Sequence, residues 1–204
     1  MRRIFIGIIC MSLLSCQGQH SNNVNDSLLT DTNLTAQPPK TYPDSIQKKI
    51  IGDIYFEIDK KTFDRLSNAF QKAHLKNKRY HLGNFQYLLI NPELYSGKLY
   101  QVDLYNPWVE TEDELKQTIQ GAYDLVVSQY GKPDSTHNGV IGKGNDEDLF
   151  VWHIGHKRIK IISGYSFNMF TVTLRFENVL VTAQIQADDR KRRDSLTRSN
   201  KKDI

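Results

Sequence analysis

The chain has 204 residues, 39% hydrophobic and 25% charged, which is ordinary for a globular domain. Its net charge is +4; without Arg2 and Arg3, which belong to the leader described next, 25 bases face 23 acids. A balance this close to neutral gives no general argument for a nucleic-acid partner. The two cysteines are Cys10 and Cys16, so the chain beyond them has no disulfide, cysteine-based zinc site or cysteine nucleophile.

The N-terminal residues have the composition of an export signal. Arg2 and Arg3 precede a mostly apolar run, Ile4–Leu14, which is shorter than the roughly 20 residues needed to cross a bilayer. We therefore predict a signal peptide over residues 1–15. Export also argues against nucleic acid as a partner.

The leader ends in Leu13-Leu14-Ser15-Cys16, which resembles the lipobox of bacterial lipoproteins. The resemblance implies cleavage before Cys16, diacylation of Cys16 and a mature chain anchored to a membrane of the cell envelope; stable anchoring takes more than one acyl chain. In that family an aspartate after the cysteine retains the protein in the inner membrane. Gln17 stands there instead, which favours the outer membrane. An ordinary signal peptide with an incidental cysteine is the alternative.

Residues 16–48 are predicted to form a lipid-anchored, flexible tether. The stretch Gln17–Lys40 is rich in Asn, Ser, Thr and Gln and has Pro38-Pro39 near its end, so it cannot bury enough apolar surface to fold alone. A flexible chain of about 25 residues spans roughly 25–30 Å. A tether of this length would allow a domain to sit clear of the lipid headgroups.

The first half of the domain predicted over residues 49–178 alternates between strand and helix patterns. Alternating apolar residues predict a strand at Asp53–Ile58, and helical spacing predicts a helix at Lys60–Lys76, capped by Asp59 or Thr62. Two further strands, separated by a turn-rich connection at Asn91–Gly97, are predicted at Phe85–Ile90 and Lys98–Tyr105.

A second helix has clear signals at both ends. Thr111-Glu112-Asp113-Glu114 is a capping box, and apolar residues recur on one face up to Tyr130. Gly131 suits the left-handed position after a helix, and Pro133 prevents continuation. A loop of unusual length, Lys132–Glu147, follows.

The second half contains a hairpin and a further strand. Leu149–Ile154 and Lys157–Ile162 flank Gly155-His156, which suits a type II′ turn and places Ile154 opposite Lys157. Phe170–Phe176 alternates in the same way. For the charged segment 179–204 we favour a helix toward Ser195 that then frays, with a strand at its beginning as the alternative.

Together these elements predict a single α+β domain with a mainly antiparallel sheet and two helices on one face. The first six follow the βαββαβ order of ferredoxin-like domains, extended by extra strands. The Tyr-rich strands, the sequence Tyr130–Asp134 and the lipobox resemble small bacterial lipoproteins, a resemblance that implies no activity. Fold does not by itself give function.

The outward positions of the hairpin and the following strand suggest a binding face. They are His153, Arg158, Lys160, Thr171, Thr173 and Arg175. On adjacent strands these residues would form a cationic patch for an anionic glycan, a lipid headgroup or an acidic partner. An ordinary solvated face is the alternative. We add Trp108, which follows Pro107 just before the capped helix, because we expect it to be partly exposed.

Metal and cofactor sites are disfavoured. His153 and His156 lack an obvious third ligand, and the oxygen-rich loop Gly142–Asp148 lacks the spacing of a calcium-binding EF-hand. We predict no metal and no cofactor.

The sequence contains none of the common hydrolase, nucleotide or dinucleotide motifs. We therefore expect a lipid-anchored cell-envelope protein that acts as a non-catalytic binding or accessory module, with another envelope protein or an anionic surface ligand as its partner. The alternative is a small envelope hydrolase that uses a carboxylate, Asp103 or Glu110, with a histidine.

Overall fold

A computed structural model describes residues 41–137, 147–166 and 168–200, and the statements below concern those residues. Four helices are present: α1 Asp44–Lys48, α2 Lys60–His74, α3 Glu112–Tyr130 and α4 Val179–Asn200. Six strands precede the middle of the chain: β1 Lys49–Ile51, β2 Ile54–Tyr55, β3 Leu75–Lys76, β4 Arg79–Leu82, β5 Phe85–Tyr87 and β6 Leu89–Tyr95. The later strands are β7 Lys98–Val109, β8 Ser135–Thr136, β9 Glu147–Ile154, β10 Lys157–Ser166 and β11 Met169–Asn178.

The main sheet has six antiparallel strands in the order β6-β7-β11-β10-β9-β8. The chain crosses from β7 to the opposite edge of the sheet through α3, and then returns strand by strand until β11 pairs with β7. A two-stranded ladder (β1-β2) and a three-stranded one (β3-β4-β5) lie outside this sheet. The predicted combination of helices with a mainly antiparallel sheet is confirmed.

The two longer predicted helices form as their sequence signals indicate. Asp59 caps α2, its side chain accepting from the Thr62 amide at 2.8 Å, and Thr111 caps α3 by accepting from the Glu114 amide at 3.2 Å. At the end of α3, Gly131 has φ 81° and donates its N–H to Val127. These contacts satisfy backbone groups that a helix end otherwise leaves free.

The hydrophobic core lies between α2, α3 and one face of the main sheet, which we call the inner face. Phe63 of α2 and Leu115 of α3 belong to the same cluster as Leu104 and Leu174 of the sheet. Trp152, which is 1% exposed, packs in this cluster and donates its indole N–H to the Gly131 carbonyl at 2.9 Å. The burial of this large ring joins the β9–β10 hairpin to the end of α3.

The ferredoxin-like order is not confirmed, because two predicted strands differ from those observed. The predicted strand Phe85–Ile90 is divided: β5 pairs with β4 in the small ladder, whereas β6 begins the main sheet. The predicted connection Asn91–Gly97 belongs mostly to β6, which contains Pro92. Proline is tolerated there because β6 is an edge strand, where its missing N–H breaks no ladder. The turn is confined to Ser96-Gly97, with φ 50° and 76°.

The predicted strand Asp53–Ile58 is also shorter than expected. Only β2 forms, since Gly52 and Glu57 on either side have positive φ, a backbone conformation that ends strand geometry. The alternation nevertheless indicates the buried face correctly, because Ile54 and Phe56 are 0% and 4% exposed.

The hairpin register and the helical assignment of the C-terminal segment are confirmed. Ile154 pairs with Lys157 and Trp152 with Ile159 as predicted, and Gly155 has φ 59°. The helix α4 begins at Val179, whose amide donates to the His156 carbonyl. Residues 1–40 and 138–146, which include the leader, most of the tether and most of the loop considered for calcium, lie outside the described residues.

Candidate binding face

The face of the main sheet opposite α2 and α3 carries the predicted binding residues, and we call it the outer face. Strand pairing aligns its side chains in three rows from β9 to β6. The first row is His153, Arg158, Glu177, Gln101 and Glu93. The second row is Val151, Lys160, Arg175, Asp103 and Asn91. The third row is Asp148, Ile162, Thr173, Tyr105 and Leu89.

The remaining two predicted residues lie at the end of this face. Thr171 follows on β11, opposite Gly164, but it is buried, with only 7% of its surface exposed, so the prediction that it is an accessible contact is wrong. The neighbouring strand β7 has a β-bulge at this point, because the four residues Asn106–Val109 lie opposite the three residues Phe170–Val172. Trp108 lies in this bulge and is 57% exposed, as expected from the sequence.

A bidentate ion pair occupies the middle of the outer face. Arg175 donates through Nε and Nη2 to the two carboxylate oxygens of Asp103 at 2.9 and 2.8 Å. The side chains are 32% and 14% exposed. The hydrogen bonds to Asp103 raise the pKa of Arg175, so its guanidinium stays charged, and the two parallel contacts fix its orientation.

A second set of ion pairs crosses the neighbouring strands. The Glu177 side chain, 5% exposed, accepts from Arg158 Nε and lies 3.6 Å from Lys160 Nζ. Lys160 also contacts Asp148 at 2.8 Å. Glu177 therefore sits between two cations, which compensates for the cost of burying its charge.

The predicted cationic patch is thus accompanied by acids that were not predicted to belong to it. Arg158, Lys160 and Arg175 are balanced by Asp103, Asp148 and Glu177. The sequence contained one usable signal: the alternation of Phe170–Phe176 continues through Glu177, which stands two residues after Arg175 and so on the same face. The pairing of Asp103 with Arg175 depends on strands 72 residues apart, and no local pattern reports it.

The far end of the outer face is more apolar than its middle. Leu89 is 49% exposed, and Tyr105 separates it from Thr173 in the third row. Trp108 lies at the same end of β7. This end of the outer face is therefore a rim of exposed apolar and aromatic side chains next to a charge-balanced centre.

The two histidines considered for metal binding have different partners. His153 Nδ1 lies 3.3 Å from Asp134 Oδ2, and these side chains are 56% and 48% exposed. The backbone N–H of His156 instead donates to Gln47 Oε1 at 2.9 Å. Within residues 41–137, 147–166 and 168–200, no group of three histidine, cysteine or acidic side chains is arranged to hold a metal ion.

Neither carboxylate considered for hydrolysis is paired with a histidine by a described contact. Asp103 is occupied by Arg175. Glu110 precedes α3, and its backbone N–H donates to Glu114 Oε2 at 3.1 Å. The one described histidine–carboxylate contact, between His153 and Asp134, lies on the exposed surface.

An unexpected group lies on the inner side of the hairpin turn. Lys157 is fully buried, and its Nζ donates to the carbonyls of Ile46 and Lys49 at 2.6 and 2.9 Å and to the Tyr130 hydroxyl at 2.9 Å. It also lies 4.4 Å from the centre of the Tyr130 ring. Burial lowers the pKa of Lys157 to about 8. We call this group the lysine clasp.

The lysine clasp and Gln47 together hold the segment that leads into the domain. The Gln47 side chain accepts a hydrogen bond from the His156 backbone N–H, and its Nε2 donates to the Tyr42 carbonyl at 2.7 Å. A Cβ atom at Gly155 would overlap Gln47 Oε1, so glycine there serves both the turn and this close approach. The start of the domain is thus tied to the β9–β10 turn and to the end of α3.

A groove of about 460 Å³ runs beside the clasp, lined by Ser45, Ile46, Lys49, Tyr55, Gln129 and Tyr130. It is shallow and open, and neither histidine nor carboxylate is among these residues. It therefore offers no acid–base pair for hydrolysis.

No protein-family model, no curated protein and no solved structure matches this chain. Among the described residues, no helix is both long and apolar enough to span a bilayer.

Proposed function

We propose that this chain is a lipid-anchored protein of the cell envelope whose α+β domain acts as a non-catalytic binding or accessory module. Support for the anchor comes from the leader, where Leu13-Leu14-Ser15-Cys16 follows two arginines and an apolar run. The residue after the cysteine, Gln17, supports the outer membrane as the destination.

The observation that carries the binding role is the composition of the outer face. Its centre is charge-balanced, and its apolar end exposes 57% of Trp108 and 49% of Leu89. Exposed aromatic side chains beside fixed polar groups are typical of protein interfaces, where Trp and Arg contribute much of the binding energy. We therefore propose another envelope protein as the partner and the outer face as its contact surface.

A small envelope hydrolase remains the alternative, and the described geometry favours it less. General acid–base chemistry needs a histidine and a carboxylate within reach of a bound substrate. The contact between His153 and Asp134 is solvent-exposed, and Asp103 is held by Arg175. Hydrolysis of a panel of ester, amide and glycoside substrates that is lost in His153→Ala would replace the binding proposal with this one.

The anchor is tested by metabolic labelling of cells with an alkyne analogue of palmitate, followed by membrane fractionation. We expect label on the wild-type protein and none on Cys16→Ala. Cys10→Ala is the matched control, because it removes the other cysteine and should retain the label. Equal labelling of Cys16→Ala and the wild type would refute lipidation at Cys16.

The binding role is tested by photo-crosslinking in cells, with a crosslinking amino acid placed in turn at Trp108, Leu89 and Lys160. Gln120, which is exposed on α3, provides a control position on the opposite side of the domain. We expect one discrete protein adduct at the outer-face positions and none at Gln120. The same adducts at all four positions, or none in a folded and membrane-bound protein, would contradict the proposed contact surface.

A further inference from the structure

The positive charge of the chain is concentrated at its C-terminal end. Residues 190–204 contain seven bases and two acids, whereas residues 16–189 contain 18 bases and 21 acids. The mature chain thus has a net charge of about −3 in its body and +5 in its last 15 residues, by this count. Such asymmetry along a chain is typical of a terminal segment that meets a polyanion.

The second half of α4 presents this charge to solvent. The hydroxyl of Tyr95 donates to Asp188, which is the last described contact between α4 and the sheet. Beyond Asp188, every α4 side chain whose burial the structure describes is exposed, including the run Arg190-Lys191-Arg192-Arg193. About 12 further residues at 1.5 Å per residue extend the helix by roughly 18 Å.

This half of α4 has no apolar face to bury. Between Arg190 and Asn200 the only apolar residue is Leu196, so neither packing on another helix nor insertion between acyl chains is favoured. Four successive bases occupy all sides of a helix, since each residue turns it by about 100°. A ligand for such a surface has to be recognised through its charge.

We propose that the C-terminal half of α4 binds the anionic headgroup surface of a phospholipid membrane. The choice of a membrane rests on the proposed lipid anchor, which would keep this helix within a short distance of headgroups and so raise its effective concentration there. Each Lys or Arg near an anionic surface strengthens binding roughly fivefold, so four bases together give substantial attraction. The domain is then held at the membrane by its tether and by α4.

The test uses residues 17–204 without the acyl chains, so that any binding comes from the protein. This form contains the whole of the compact unit Pro38–Ile204 and its core. Co-sedimentation is measured with vesicles of phosphatidylcholine alone and with vesicles that also contain phosphatidylglycerol, at low and high salt. We expect binding only to the anionic vesicles, and its loss at high salt because screening weakens exposed charges.

The decisive variant replaces Arg190, Lys191, Arg192 and Arg193 with Gln, which preserves helix propensity. We expect its affinity for anionic vesicles to fall on the order of a thousandfold. The matched control replaces four exposed lysines of α2 and α3 with Gln, namely Lys60, Lys61, Lys72 and Lys116. It carries the same net charge and should bind within a few-fold of the wild type.

Equal loss of binding in the control would refute a localised surface on α4, and so would retention of binding by the α4 variant. Binding of the wild type to DNA or heparin but not to anionic vesicles would refute the lipid surface as the ligand. Because the assay omits the acyl chains, its failure is distinct from failure of the anchor, which the palmitate label reports.

Discussion

From the buried Lys157 of the lysine clasp we predict how the free energy of unfolding depends on pH. Lys157 has a pKa of about 8 in the folded protein and 10.5 as its ordinary value. Between these values the unfolded chain binds more protons than the folded one, so the free energy of unfolding rises with pH. Below about pH 8 both states hold the proton, and above about 10.5 both have lost it, so the contribution of Lys157 is constant outside that window.

The magnitude follows from the shift of the pKa. One pKa unit corresponds to about 1.4 kcal/mol, so the whole shift gives roughly 3 kcal/mol. Integrating the difference in bound protons from about pH 7.5 to about pH 9.5 gives a rise of about 1.8 kcal/mol in the free energy of unfolding. This interval also avoids the ionisation of Tyr130, whose pKa burial raises above the ordinary value of 10.

The assay is urea denaturation of the wild type and of Lys157→Met at several pH values, with the exposed Lys61→Met as the control. The free energy of unfolding should rise with pH in the wild type and in the control. This rise should be absent in Lys157→Met. That variant also leaves the carbonyls of Ile46 and Lys49 without their donor, which destabilises the domain at every pH. A difference between the wild type and Lys157→Met that does not change with pH would refute the reasoning. It would mean that the two carbonyls and the Tyr130 ring fully offset the burial of the ammonium group.

Three further predictions concern single contacts. Gly155→Ala should destabilise the domain by about 1 kcal/mol more than Gly97→Ala, measured by thermal unfolding. Both positions have positive φ, but only a Cβ at position 155 would displace Gln47 and its hydrogen bonds. A double-mutant cycle on Asp103→Asn and Arg175→Gln should give a coupling of about 1–3 kcal/mol, and a coupling near zero would contradict a fixed bidentate pair. Thr111→Ala should cost about 1 kcal/mol by removing the N-cap of α3, and an unchanged melting temperature would show that the cap is replaceable.

The parts of the fold that the sequence predicted well are those determined by neighbouring residues. The capping box at Thr111 and the glycine at position 131 fixed both ends of α3, because capping depends on groups within one turn. Gly155 fixed the hairpin register for the same reason, since a two-residue turn leaves only one alignment of the strands.

The parts that escaped prediction depend on residues far apart in the chain. Pro92 and its polar neighbours have the composition of a turn, and only the position of β6 at the sheet edge makes a strand acceptable there. The contacts of Lys157 with Ile46 and Lys49 span more than 100 residues. A lysine next to a turn is usually solvated, so nothing local indicated that this one is buried.

The sequence predicted which strand residues share a face of the sheet, but not the charge balance of that face. Period-two alternation correctly assigned Arg158, Lys160 and Arg175 to one face, because alternation depends only on strand geometry. Which acid faces which base depends on strand order, which the sequence did not give. Asp103 was considered as a catalytic acid, yet its neighbour across the sheet is Arg175.

The place of β11 in the sheet constrains how a nascent chain can reach this structure. A chain complete only as far as Ser166 contains the β6–β7 hairpin and the β8–β9–β10 group, and β11 is the strand that joins them. Until Met169–Asn178 has been synthesised, the 12-residue β7 and the 10-residue β10 each present one edge without its final partner. Unpaired edges of that length invite pairing with other chains. A chain that ends before β11 therefore cannot complete its main sheet and leaves the edges of β7 and β10 open to other chains.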